Sequence, residues 1–346
     1  MTIIKLTTDN ETRWDQYVLN SEHANFYHLL GWKRVFQQTF GYQQHYLLAL
    51  ADSGAVEGVL PMLRMTDIFR RKYLVSNPFS NFAGLCADSA AVAQGLLTAA
   101  AEEVSAAGAQ YAEFRQLEHR LQIGNLPAKE SFVTLMLNLS EDPEEIWNAI
   151  SSRNRGKVRK AEKGGLVPDF GMKYLKAFHQ VYSVNLRHLG TPIFPLRMFE
   201  RVAEEFGDRV ELLVLKLDGQ VVSGMFLFKF KKMISEPWVA SLREYNRIYI
   251  NNYLYWQAIK YACNEGFEIF DFGRSTVDTG TYEFKLQWGA KPIPLYYHYH
   301  LNKAKQIPVV DAKDNKYQRA IDLWKKLPQA LTDFAGPRLV RFLPEL

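Results

Sequence analysis

The sequence predicts a mixed α/β fold in which one plan is used twice. Three observations lead there. Runs with alternating apolar residues, paired across Gly-bearing turns, mark hairpin strands. A long helical stretch follows each hairpin, and an apolar run of strand length closes each set. Hairpin, helix, strand occurs once in each half of the chain, and a further helical segment follows. The repeat is one of element order, not of residue identity.

Taken in order, residues 1–40 read as helical. Trp14, Tyr17 and Val18 come first, then Phe26, Leu29, Leu30, Trp32, Val35 and Phe36 at the three- and four-residue spacing of a core-facing helix. Strands at 46–50 and 56–63 flank the turn Asp52-Ser53-Gly54, and 72–75 is a further strand. Residues 77–84 read as a loop, 90–107 as an Ala-rich helix, and 111–115 and 132–139 as strands. Asp142-Pro143-Glu144-Glu145 opens a helix, with Pro near its start and acids in its first turn. A basic helix at 153–163 stops at Gly164-Gly165. Helices at 174–189 and 196–206 precede strands at 210–217, 221–230 and 233–240, then a long helix at 248–264. The expected domains are 1–145, 146–305 and a helical tail, 306–346. In the tail Tyr317, Ala320, Ile321, Trp324 and Leu327 keep helical spacing up to Pro328. It packs on the body or meets a partner or membrane surface, and packing is the commoner use of such a face.

Residues 270–301 organise the chain. Phe267, Ile269 and Phe270 lead to Asp271 as a buried strand delivering polar groups at its end. Gly273-Arg274-Ser275 reads as a tight, cationic turn. Asp278 or Thr279 caps a short helix that carries Tyr282, Lys285 and Trp288 on one face, and Gly289 ends it. Leu295, Tyr297 and Tyr299 form a strand. Asp271 either accepts a proton or caps the following turn. Arg274 either binds a carboxylate or phosphate as a planar fork or pairs with Asp271. Lys285 is otherwise a surface lysine with its stem along Trp288.

The basic run holds Arg153, Arg155, Lys157, Arg159, Lys160 and Lys163 against Glu162 alone. Arg153, Lys157 and Lys160 share a helix face. Such density points to a phosphate-bearing partner, with a solvated face as the alternative. A nucleotide-sugar pyrophosphate, a tRNA backbone and a CoA-like donor all fit. Tyr249, Tyr253 and Trp256 recur on one helix face and read as core. His179, His188, His298 and His300 show no metal-ligand or triad spacing.

Composition narrows the classes. A chain of 346 residues with 47% hydrophobic content is long enough for two folded domains. A net charge of +5 calls for no global nucleic-acid or membrane role. Cys86 and Cys263 lie far apart and suggest neither zinc nor disulfide. The acidic residues of the first stretch and the lack of a long apolar run predict a soluble cytoplasmic protein.

Several stretches carry a resemblance. RNRGKVRKAEKGG at 153–165, RHLGTPIFPLRMFE at 187–200, NNYLYWQAI at 251–259 and FDFGRS with GTYEFKLQWGAKPIPLYYHYHL within 270–301 resemble the Fem-type family. These are relatives of the acetyltransferases (GNAT), and the nearest likeness is to the branch associated with exosortase and exopolysaccharide gene clusters. Over 1–145 the likeness is limited to FYHLLGWKRVF at 26–36. The resemblance implies two tandem acetyltransferase-like domains and acyl or aminoacyl transfer to an amine of a cell-envelope or exopolysaccharide precursor. It implies no bound cofactor; the donor, aminoacyl-tRNA or acyl-CoA, is a substrate. The acceptor is an anionic nucleotide- or carrier-linked molecule, and tRNA is a further partner.

By resemblance Lys285 lies at the reactive centre, where a fixed ammonium steadies the oxyanion or leaving group. Arg153 and Arg155 are then the leading phosphate ligands, with Lys157, Lys160, Arg274, Ser275, Tyr282 and Trp288 around the substrate. Residues 243–249 contain no glycine where ordinary acetyltransferases cradle CoA phosphates, though Arg247 can meet an anion. Two further readings stand beside transfer: a non-catalytic module for a nucleotide-linked saccharide, and a plain CoA acetyltransferase.

Overall fold

The computed structural model describes residues 1–117, 126–308 and 315–343. The elements run β1 (Thr2–Lys5), α1 (Glu11–Asn20), α2 (Gly31–Phe40), β2 (Gln43–Leu50), β3 (Val56–Thr66), β4 (Lys72–Ser76), β5 (Cys86–Ala87), α3 (Ala90–Ala106), β6 (Tyr111–Leu117) and β7 (Ala128–Asn138). They continue with α4 (Pro143–Ala149), α5 (Ser152–Lys163), β8 (Val167–Phe170), α6 (Leu175–Leu189), α7 (Leu196–Phe206), β9 (Val210–Leu217), β10 (Gln220–Phe230), β11 (Met233–Ser235) and β12 (Val239–Ser241). Then come α8 (Ile250–Asn264), β13 (Ile269–Ser275), α9 (Gly280–Leu286), β14 (Lys291–Leu301), α10 (Asn315–Lys326) and α11 (Gln329–Leu339). Two compact units result: residues 1–132 with 293–310 and 340–346, and residues 133–292 with 311–339.

In the first unit the strand order is β1-β2-β3-β4-β6-β14. Among the described residues of this unit only β4 and β6 pair in parallel, and α3 makes the crossover between them. The Ser89 hydroxyl caps α3 by accepting from Val92 N at 3.3 Å. Val92, Leu96, Ala100 and Val104 recur every fourth residue, so they form one stripe, buried with Leu47, Leu60 and Leu74 of the sheet.

In the second unit the order is β7-β13-β11-β10-β9-β8. Here β11 and β13 are the parallel pair, with α8 between them in sequence. Ile250, Leu254, Ala258 and Ala262 again recur every fourth residue and pack into a core with Leu213, Leu227 and Phe270. The short strand β5 pairs with β3, and its counterpart β12 pairs with β10. The series β2-β3-β4-β5-α3-β6 and β9-β10-β11-β12-α8-β13 therefore repeat one mixed α/β plan, as the element order predicted. The tail packs on α6: Arg187 Nε donates to Leu327 O at 2.7 Å, Ser183 bonds Asp333, and Gly336 lies against Ile193. No helix among the described residues is long and apolar enough to cross a membrane.

Local expectations change at three places. The first forty residues are not all helical. A short edge strand, β1, precedes α1, and Phe26–His28 is a separate 3₁₀ turn whose cap, Asn25, accepts from Tyr27 N. The strand expected at 233–240 is two strands, because Pro237 lacks the N–H that would continue the ladder. Gly273-Arg274-Ser275 is a bulged continuation of β13, not a turn. Its register against β7 shifts between Asp271 and Arg274, and Gly273 takes the left-handed φ of 69°.

Candidate active site

The parallel ladder between β11 and β13 ends at Ser235 opposite Asp271, with one more bond from Glu236 N to Asp271 O at 3.1 Å. Beyond it Pro237 turns the chain toward β12, while β13 runs on beside β7. Two carboxyls, Glu236 and Asp271, lie where the strands part at their C-terminal ends. In open α/β sheets that edge is where ligands bind.

Each group is held. Asp271 is fully buried, and its Oδ1 accepts from Thr134 Oγ1 at 2.5 Å and Gly273 N at 2.9 Å. Tyr255 of α8 donates to Glu236 Oε1 at 2.9 Å and stacks on Phe272 at 5.5 Å. Lys285 of α9 is buried and gives two protons, to Gly273 O at 3.0 Å and Arg274 O at 3.1 Å. An ammonium has three protons, so one remains for a ligand or a carboxylate. The Asp271 Oδ2, Ser275 Oγ and Trp288 Nε1 atoms are enclosed and have no partner among the described residues. A buried unpaired polar atom costs about 1–3 kcal/mol, so these three atoms are available to meet a ligand or a water.

The electrostatics follow from burial. Desolvation pushes the Glu236 carboxyl up to about 8, against the pull of Lys285 and the Tyr255 hydroxyl; Asp271 adds to the rise. Desolvation also raises Asp271, opposed by Thr134, Gly273 and Lys285. The same burial lowers Lys285, while both carboxylates work to keep it charged. One cation thus faces two acids, and one acid keeps its proton near neutrality.

A second feature lies at the start of α5. Ser151, Arg153, Asn154, Lys157 and Gln287 line a cleft of about 290 Å³. The Ser151 hydroxyl accepts from Asn154 N at 3.2 Å and caps the helix. Buried Asn154 donates to Gln287 O at 3.3 Å and accepts from Asn252 of α8 at 2.7 Å, fixing α5, α8 and the end of α9 together. Lys157 Nζ reaches Gln287 Oε1 at 3.2 Å. Two cations above a helix N-terminus, with neutral amides beneath, suit an anion.

The predicted residues separate into groups. Lys285 and Asp271 come together with Glu236. Half-buried Arg274 lends its carbonyl to Lys285, and its charge helps to lower the Lys285 pKa. Tyr282 is half-buried and packs against the α8 core that also holds Trp288. Arg153 and Lys157 line the cleft; Lys285 does not. Arg155 turns away: its Nη1 donates to the Trp147, Asn148 and Ile150 carbonyls, closing the end of α4. Lys160 sits over the Tyr249 ring at 5.2 Å, and Arg159 over Trp147 at 5.4 Å. Arg247 is exposed in the 3₁₀ turn Arg243–Ile248. Tyr253 and Trp256 are core as expected, whereas Tyr249 precedes α8 at a left-handed φ of 59°.

Sequence reasoning missed Glu236, Tyr255, Thr134, Asn154 and Gln287. The signal for Glu236 was present as an acid before a proline inside an apolar strand pattern. No group of metal-ligating side chains occurs among the described residues.

The corresponding place in the first unit is closed. After β4 the loop 77–84 folds back, and Arg115 fills the parting of β4 and β6. Its Nε bonds Glu113 at 2.7 Å, its Nη1 donates to Ser80 O at 2.8 Å, and Tyr299 donates to Glu113 Oε2 at 3.0 Å. Arg115 is only 1% exposed. The parting in the second unit holds Glu236 and Asp271, with Lys285 electrostatically linked to both.

The fold is shared with known proteins. The two-fold α/β plan is that of tandem acetyltransferase-like proteins. A crystal structure of FemX superposes with a TM-score of 0.67 over 88% of this chain and 98% of that one, at 16% identity. The C-terminal domain of a putative lysylphosphatidylglycerol synthetase from Agrobacterium fabrum gives 0.56 over 84% and 91%, at 15% identity. A tandem GNAT protein from the clavulanic acid biosynthesis pathway gives 0.54 over 86% and 98%, at 9% identity. In sequence, residues 151–286 match the family model of the acetyltransferase (GNAT) domain, a span that begins at the cleft and ends just after Lys285. No curated protein sequence matches the chain.

Proposed function

We propose that the second unit transfers an acyl or aminoacyl group to an amine of an anionic, nucleotide- or carrier-linked precursor of the cell envelope or of an exopolysaccharide, in the cytoplasm. The observation that carries this reading is the cluster Glu236–Asp271–Lys285 at the parting of β11 and β13, within the stretch that matches the GNAT model. The acceptor amine attacks the donor carbonyl carbon, and a C–N bond forms. Lys285 faces the oxygen on which negative charge develops. The donor's ester or thioester bond then breaks. The amine proton passes to the Glu236 carboxylate, and the leaving oxygen or sulfur takes up a proton. In a desolvated site such charges act far more strongly than in water. Arg153 and Lys157 hold the substrate phosphate at the cleft.

The donor is an aminoacyl-tRNA or an acyl-CoA. The FemX likeness favours the first, as does the absence of glycine from 243–249. A second reading, a binding module without turnover, is favoured by the two carbonyls that already occupy Lys285. Purified protein is incubated with an amine acceptor and either acetyl-CoA or a mixture of aminoacyl-tRNAs. Transfer from one donor class is expected, with kcat about 10²–10³ lower in Lys285→Met. Wild-type turnover in that variant removes Lys285 from the reaction. Ligand binding with no product from any donor supports the module instead.

A further inference from the structure

The tail leaves one part of its surface uncovered. The inner side of α11 presents Thr332 and Gly336 to the body, while Asp333 bonds Ser183 and Gln329 of the same unit. Leu331, Phe334 and Arg338 recur at intervals of three and four residues and so form one outer stripe. Leu331 is 53% exposed and Phe334 63%, and the Arg338 guanidinium lies 3.9 Å over the Phe334 ring. On α10, Ile321 and Lys325 lie against Gly190, while Arg319, Leu323 and Lys326 make the matching outer stripe, with Leu323 63% exposed. Leu323, Leu331 and Phe334 are among the most exposed large apolar side chains of the chain.

Charge says what covers this face. Arg319, Lys325, Lys326 and Arg338 lie on these two helices with only Asp322 and Asp333 opposing them, and Asp333 is engaged within the unit. Leu and Phe interleaved with Arg and Lys along a helix is the composition of segments that lie in a lipid headgroup layer. The rings and isobutyl groups enter the acyl boundary, and the cations meet phosphates. We propose that α10 and α11 form a membrane-surface docking face for anionic lipid, independent of the transfer reaction.

The test uses the full chain in flotation with vesicles of phosphatidylcholine alone or mixed with phosphatidylglycerol, at low and at physiological salt. Binding is expected only to the mixed vesicles, and salt weakens it. Leu331→Glu with Phe334→Glu abolishes flotation, and Arg319→Ala or Lys326→Ala weakens it about fivefold each. Unchanged thermal unfolding in the variants shows that the fold is intact. Equal binding to both vesicle types, or undiminished binding by the double Glu variant, overturns the proposal. So does sedimentation showing that this chain self-associates and that the double variant dissociates it, since a second copy would then be the occupant.

Discussion

Glu236 shows how one buried proton ties stability to pH. Its carboxyl is raised from 4.5 to about 8, so the folded protein keeps a proton that the unfolded chain releases. The stabilisation is full below about 4.5 and declines as pH rises toward about 8. Asp271 is raised too and adds in the same direction. Lys285, lowered from 10.5, acts oppositely at alkaline pH, where the unfolded chain binds the extra proton. Urea unfolding measured across this range should show stability falling with pH in the wild type and a flatter profile in Glu236→Gln. A wild-type stability that rises with pH over the same window would place Glu236 outside a desolvated site.

At the level of elements, α5 divides its basic residues between two tasks that the sequence could not separate. Spacing put Arg153, Lys157 and Lys160 on one helix face, and resemblance made Arg153 and Arg155 the leading phosphate ligands. The structure instead has Arg155 closing α4, Arg159 and Lys160 resting on aromatic rings, and Arg153 and Lys157 at the cleft. Residue spacing fixes which side chains share a face, but not which neighbouring carbonyl one of them reaches. Calorimetry with inorganic pyrophosphate should distinguish them. Arg153→Ala with Lys157→Ala is expected to weaken binding at least tenfold, because charge-assisted hydrogen bonds contribute about 1.5–3 kcal/mol each. Arg155→Ala should leave affinity unchanged and lower stability by about 1 kcal/mol through the lost helix closure. The reverse pattern would move the anion site to the other side of α5.

For the whole molecule, the repeated plan was legible because it rests on periodicity. The fourfold spacing along α3 and α8, and the alternation in the strands before each of them, are local signals. Asp271 and Lys285 were singled out through the motif around them. Glu236 was not, because its partners, Tyr255 on α8 and Asp271 on β13, are distant in sequence and meet only when the parallel ladder forms. The two units also diverge at the parting of their parallel strands: a paired, buried Arg115 in the first, and two buried acids electrostatically linked to the Lys285 ammonium in the second. The proposed reaction belongs to the second alone. The most direct test is the pH dependence of kcat for acyl transfer in wild type and Glu236→Gln. The wild-type rate is expected to rise to a plateau with an apparent pKa of about 8. In the variant a loss of about 10²–10⁴ is expected, with that inflection gone. The same rate and the same inflection in both proteins would rule out Glu236 as the proton acceptor.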